Sequence, residues 1–494
     1  MPHFDFYYDE TEHSRSIGHR TISAENYYDS FVAFIIGLSK DKKVEIEEKY
    51  LAFEKAFEHR KSDGELKSTT LRQAQFRYGF ASLNKDNVKF IHDLLSVYDG
   101  VIIYATVISK IEFLVRQIFI DYRNSIAVDA DAVRYTITKA LLTYRPADVA
   151  DCIYNHPKDT IKTLKSFFEK QIEINKTKMP LKKRENQAFQ EVLLLLDDAH
   201  GIERLEWDYS IAFEGFRLFL REMGIDDYSL TIDNEKKTFE TAQSLGFDNA
   251  SEGDSKQFVG IRMADMLAGI TAKLMKALSE ALTPKPDNDG SKTILEKEWF
   301  SLTDEQLQLY HQLKKILIDQ NNCWYKVYAG NYADGLVCLT ALLNFIAAYK
   351  TSDELKKAFD CGEQFNSYVC ECLNDHYHRM RNKLPIDPIT PSEREKEYFL
   401  NQRGAEVYWD LKKQPFLQID SNGSKYAVLS VGVDRSGIPL VTVDFKGEAI
   451  CYRLPFGLSE WAESVVGFAV AGEKLFPADV IFTERNGRFY ADIL

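Results

Sequence analysis

The sequence predicts an α/β chain: a mixed sheet interrupted by a helical insertion, then a mainly helical region, then a small β-rich domain at the C-terminal end. Three observations predict it. Short β-branched and aromatic runs recur in the first 110 residues and return at 228–261. The stretch between them, from Asp129 to about Glu222, has helical periodicity and few strand signals. The last hundred residues set β-rich runs between Asn-Gly, Ser-Gly and Lys-Gly turns. A chain of 494 residues is expected to build more than one core. Dense Pro, Gly, Asn and Asp at 282–291 and 384–391 mark the breaks. The expected organisation is therefore 1–281 with an insertion at about 129–222, a mainly helical region at 292–383, and an antiparallel β-rich domain at 393–494.

Residues 4–10 alternate Phe4, Phe6 and Tyr8 with Asp5, Tyr7 and Asp9, the period of a strand. Residues 31–38 form an unbroken apolar run and read as a buried strand, and the charged stretch 40–67 reads as a helical excursion ending in Ser-Asp-Gly. Residues 75–83 are a weaker strand signal. The β-branched run 101–107 is a further strand, after which Ser109 and Glu112 have capping-box spacing at the start of a helix. Residues 228–233 return to strand character, and 258–261 read as a brief strand running into a helix over 262–280. In the C-terminal part, 426–433 and 439–444 are the clearest strands. Strands followed by helices in this order suit an α/β domain with a central mixed sheet.

The formal charge of −13 opposes sequence-independent binding of a polyanion over the whole surface, so any contact with nucleic acid would be local. The best local patch is 162–184, where Lys162, Lys165, Lys170, Lys176, Lys178, Lys182, Lys183 and Arg184 outnumber Glu169 and Glu173; its plainer reading is a solvated helical face. Acids stand where a signal peptide needs a basic start, and no apolar run approaches ~20 residues, so a cytoplasmic chain without membrane contact is expected. Seven cysteines without a repeated C-x-x-C spacing read as reduced thiols. Cys370, Cys372, His376 and His378 offer zinc-ligand chemistry, but Cys370 and Cys372 would face different sides of a continuous helix. No phosphate-binding glycine loop and no G-x-S-x-G elbow is present.

A two-metal phosphodiester site needs carboxylates remote in sequence and convergent in space. Asp9 closes the first strand, Asp233 closes a later one, and Asp265 follows Gly260-Ile261 in an otherwise apolar helix. If the two strands are neighbours, the three carboxylates can meet at one sheet edge as oxygen ligands suited to Mg²⁺ or Mn²⁺. Asp265 is the hardest to explain structurally, because a carboxylate on a buried face is costly unless it is paired. Asp197-Asp198, after the run 192–196, is the rival for the middle position.

Four pieces carry a resemblance: 8–14 (Tyr-Asp-Glu-Thr-Glu-His-Ser), 232–235 (Ile-Asp-Asn-Glu), 254–256 (Asp-Ser-Lys) and 260–269 (Gly-Ile-Arg-Met-Ala-Asp-Met-Leu-Ala-Gly). Over about 1–280 the chain resembles the ribonuclease H-like family catalogued as domain of unknown function thirty-eight hundred. That family's pattern has an opening strand ending Asp-Glu-Ser, a middle strand ending in Asp, and a closing helix of Ile-Gln-Leu-Ala-Asp-Leu-Leu-Ala-Gly type. Arg262 replaces its frequent Gln, and Thr11 its frequent Ser. The resemblance implies a ribonuclease H-like sheet and places Asp9, Asp233 and Asp265 on its acidic positions. It further implies a metal-dependent nuclease acting on RNA or DNA. Glu112 falls where the fold often carries a fourth acid, though its spacing from Ser109 also satisfies a helix cap. Lys256 is a phosphate contact or an ordinary surface charge. The rival expectation is a non-catalytic scaffold that meets a protein partner through its C-terminal regions.

Overall fold

In β1 (Phe4–Thr11) alternation sends Phe6 and Tyr8 into one core and Tyr7 into another, so this strand is buried on both sides. It is the middle of a five-stranded mixed sheet in a computed structural model. The structure describes residues 3–11, 27–120, 129–177, 182–199, 208, 210–282, 294–320, 332–358, 360–381, 398–408, 410–420, 423–434, 437–470, 473–485 and 488–494. β2 (Ser30–Ser39) pairs antiparallel with β1 and is buried throughout its middle, which is why it reads as a continuous apolar run. α1 (Lys43–Ala56) and α2 (Lys85–Leu95) precede β3 (Ile102–Ser109), which lies antiparallel on the far side of β2.

α3 (Lys110–Ile118) follows β3, and the insertion after it is helical, as its periodicity requires: α4 (Ala130–Tyr144), α5 (Ala147–Asn155), α6 (Thr160–Lys176), α7 (Lys183–Asp198) and α8 (Ser210–Met223). Their apolar sides close over Phe6, Tyr8, Phe31 and Tyr104. The chain then returns as β4 (Tyr228–Asp233), parallel to β1. α9 (Lys236–Ser244) leads to β5 (Ala250–Gly253), parallel to β4, and α10 (Val259–Leu282) follows. The sheet order is β3-β2-β1-β4-β5.

Three sequence expectations change. Residues 258–261 are the entry to α10, and the last strand of the sheet is the polar Ala250–Gly253. This strand is short, and its middle residues are exposed, so neither run length nor apolar alternation announces it. Residues 75–83 supply only a turn and the short extended segment Arg77–Phe80, which does not join the sheet. Residues 192–198 belong to α7, so Asp197 and Asp198 end a helix.

α10 is apolar nearly all round, and such a helix must be covered on both sides. The sheet covers one side. The other is met by the segment 68–80 and by α12 (Asp334–Ala347), against which α11 (Asp304–Lys314) and α14 (Cys361–Arg381) pack in turn, with the short α13 (Ser352–Lys357) contributing Leu355 to the same core. Trp299, Tyr310, Leu339 and Phe365 share one core with Ile36, Phe90 and Leu267. The region expected as separate at 292–383 thus has no core of its own. The chain divides into two compact units, Met1–Asn382 and Lys383–Leu494. Apart from Leu282, the breaks at 282–291 and 384–391 lie outside the described residues.

The second unit contains the hairpin of β6 (Tyr398–Leu400) and β7 (Glu406–Tyr408). Its main sheet is built from β8 (Ser424–Val433), β9 (Pro439–Phe445), β10 (Glu448–Arg453), β11 (Ala478–Arg485) and β12 (Arg488–Ile493). The order is β10-β9-β8-β11-β12, and every pairing is antiparallel, as its turns imply. Lys446 and Gly447, both at positive φ, make the tight β9–β10 turn. α15 (Ser459–Val470) packs on this sheet and adds a helix to the expected β-rich domain.

Candidate functional site

Parallel pairing sets Tyr8 opposite Ile232, so Asp9 and Asp233 follow at matching ends of β1 and β4. Alternation puts both on the face shared by Tyr7 and Thr231. α10 runs along that face. Gly260 allows it to lie directly on β1, since a Cβ at this position would overlap the Tyr7 ring. Five residues further on, α10 carries Asp265 to the same edge. Sheet register and one close helix contact therefore carry three acids to one edge, although Asp9 is more than two hundred residues from Asp233 and Asp265 in sequence.

Of the three, Asp9 feels both of the others. Burial first, then Asp265, Glu10 and Asp233, push the Asp9 carboxyl well above the usual carboxylate range; the Glu10 N–H, donating at 2.7 Å, opposes them. Asp265 is also raised by burial, and is restrained by Ser68, whose hydroxyl donates to Oδ1 at 2.7 Å and whose N–H donates to Oδ2 at 2.8 Å. Lys273 and Lys67 add positive potential there. Asp233 is raised by burial, with Asp254 and Glu235 contributing, against N–H donors from Asn234 at 2.9 Å and from Ser255.

Carboxylates alone are a hard-oxygen donor set, which suits Mg²⁺ or Mn²⁺ rather than zinc. Mutual repulsion in a buried place is also the condition that a bound cation relieves. The geometry is nonetheless not a closed cage: among the described residues no three His, Cys, Asp or Glu side chains converge as a metal cluster. Both Asp265 oxygens are engaged by Ser68.

The remaining predicted residues have other partners. Glu112 lies at the same end of the sheet, where Ser109 pairs with Ser30. Its N–H is capped by the Ser109 hydroxyl at 3.0 Å, and its Oε1 accepts the Tyr332 N–H at 3.0 Å, so it joins α3 to the chain before α12. It is not among the charges that dominate around Asp9. Asp197 is exposed on α7 and pairs with Lys165 at 2.9 Å. Lys256 is exposed. Arg262, where the resemblance leads one to expect Gln, is buried against Glu54, with Nε–Oε1 2.8 Å and Nη2–Oε2 3.3 Å. Its Nη1 donates to the Ser255 carbonyl at 2.6 Å, bracing the loop that serves Asp233.

In the basic patch, Lys165 pairs with Asp197, Lys176 with Glu173 and Lys182 with Glu185, while Lys162, Lys170, Lys183 and Arg184 are exposed; Lys178 lies outside the described residues. Cys370 is exposed whereas Cys372 packs against the core, and the His378 side chain lies outside the description. Sequence reasoning missed Ser68, Glu65 and Glu54. The Ser-Asp-Gly turn at 62–64 was the one local signal near them, and it marks a turn without saying what the next residues touch.

A small apolar crevice lined by Tyr27, Ile111, Leu141, Val149 and Ile153 lies where the insertion meets α3, and includes none of the three acids. No described helix is long and apolar enough to cross a membrane. No family model, curated protein or solved structure matches the chain.

Proposed function

We propose that the chain is a divalent-metal-dependent nuclease, or a related phosphodiester-processing enzyme, with a ribonuclease H-like site formed by Asp9, Asp233 and Asp265. One observation carries this reading: two acids end adjacent parallel strands and a third comes from the helix lying on them, at one edge of a mixed sheet. The strand, strand and helix origins agree with the motif order of the family that the sequence resembles. Asp9, Asp233 and Asp265 would hold Mg²⁺ or Mn²⁺. Such cations activate water for in-line attack on phosphorus and steady the leaving oxygen. The Asn234 and Ser255 N–H groups orient Asp233, and Arg262 fixes the Ser255 loop. The substrate is RNA or DNA, held locally, with exposed Lys183 and Arg184 as the basic contacts within a chain of net negative charge.

The test is cleavage of labelled RNA, DNA and hybrid in Mg²⁺, Mn²⁺ or EDTA. Asp→Asn at 9, 233 or 265 keeps shape but removes an anion, so each single change abolishes most turnover. The triple variant is scarcely worse than the worst single one, as expected for residues acting as a unit. Cleavage that survives EDTA, or that persists in Asp265→Asn, refutes the assignment. The second reading is a non-catalytic scaffold that uses its C-terminal regions to hold a protein partner. It is favoured by the engagement of both Asp265 oxygens with Ser68, which on that reading is a structural clamp. A parent that neither cleaves nor binds Mn²⁺ makes it the better reading.

A further inference from the structure

Helix α10 carries a second glycine, Gly269, one turn beyond Asp265, and its missing side chain is filled by Ser68. A Cβ at 269 would overlap both Cβ and Oγ of Ser68. Ser68 sits on a strap that is itself fixed. Leu66 and Leu71 on either side are fully buried, Asp63 and Gly64 at positive φ turn the chain sharply, and Ser62 and Glu65 close that turn by backbone hydrogen bonds. From this seat Ser68 reaches both oxygens of Asp265, at 2.7 and 2.8 Å. The strap has a second tie, because Glu65 Oε2 accepts from the Ser255 hydroxyl at 2.8 Å. The Ser255 N–H in turn serves Asp233. One short segment thus braces two of the three acids.

We propose that Ser68 is a positioning residue of the acidic site, holding the Asp265 carboxylate in the orientation from which it takes a divalent cation. The inference rests on the metal-site reading above. A carboxylate offers about four lone-pair directions. Ser68 uses two of them and leaves two for a cation, as outer-shell partners of ligating carboxylates do. Gly269 belongs to the same device, since it provides the space in which Ser68 stands.

The test is Mn²⁺ affinity of the full-length protein, followed by the electron paramagnetic resonance signal of free Mn²⁺ at a temperature where circular dichroism shows every variant folded. Ser68→Ala is expected to weaken Mn²⁺ binding about 10- to 100-fold, the usual cost of losing an outer-shell partner. Gly269→Ala leaves Ser68 chemically intact but displaces it, and weakens binding likewise. The double variant is no weaker than Ser68→Ala alone. Leu339→Ala, which opens a cavity in the same core away from the acids, keeps the parent affinity. Parent affinity in Ser68→Ala and Gly269→Ala, or an equal loss in Leu339→Ala, overturns the positioning role while leaving the metal site standing. A parent without Mn²⁺ binding that is sensitive to Asp9→Asn overturns the metal reading itself, and this role with it.

Discussion

Glu54 and Arg262 make a buried ion pair whose removal has a calculable consequence. Their side chains are 4% and 7% exposed and meet through two hydrogen bonds of 2.8 and 3.3 Å. Taking away one partner strands the other charge where water cannot reach it, which costs about 3–5 kcal/mol. Glu54→Leu is expected in that range. Lys61, 3.8 Å from Glu54 and less buried, adds no more than about 1 kcal/mol. Arg262→Met belongs at the upper end, because it also removes the donor to the Ser255 carbonyl. The double variant strands no charge. Its remaining cost is the Ser255 and Lys256 carbonyls left without the donor they share, about 1–3 kcal/mol, so it should be several kcal/mol less damaging than the sum of the single changes. Urea unfolding followed by tryptophan fluorescence measures this, since Trp299 is buried in the same core. Additive single changes, or a single cost under about 1 kcal/mol, would refute the claim that Arg262 is held as a desolvated charge.

Two further predictions concern charge. In EDTA, the raised Asp9 carboxyl stays protonated in the folded chain at a pH where the unfolded chain has already ionised. Its contribution to stability is therefore full below the ordinary carboxylate range and is lost as pH rises through the raised value. Asp9→Asn should flatten that fall and leave the metal-free protein at least as stable as the parent at pH 7; thermal midpoints between pH 4 and 8 check it, and an unchanged slope counts against it. If the basic patch binds nucleic acid, Lys183→Glu with Arg184→Glu should lower the salt slope of binding by about 2. Lys182→Glu should change it less, because Lys182 is already paired with Glu185 at 2.7 Å. Fluorescence anisotropy at several salt concentrations separates the two, and an unchanged slope returns the patch to a solvated face.

By itself the sequence determined the strands that carry strong side-chain patterns, the helical nature of the insertion, and the three acids worth watching. β1, β2, β3 and β4 announce themselves because each is long enough and apolar enough for periodicity to show. Asp265 stood out because an acid in an apolar helix demands a partner. Tertiary structure decided the rest, for reasons that local pattern does not contain. Ala250–Gly253 is a strand through its backbone pairing with β4, not through its polar side chains. Residues 192–198 have the composition of a strand, yet Val192, Leu195 and Leu196 lie on a helix face in the core that holds Phe168 and Phe213, with Leu194 exposed on the other side. The helices after residue 294 belong to the first unit because α10 needs cover on its second side. Ser68, 197 residues from the carboxylate it holds, is an ordinary serine in sequence. Only the docking of its strap into the space left by Gly269 makes it a partner of the site, and a contact of that kind is set by packing between segments rather than by any pattern within one.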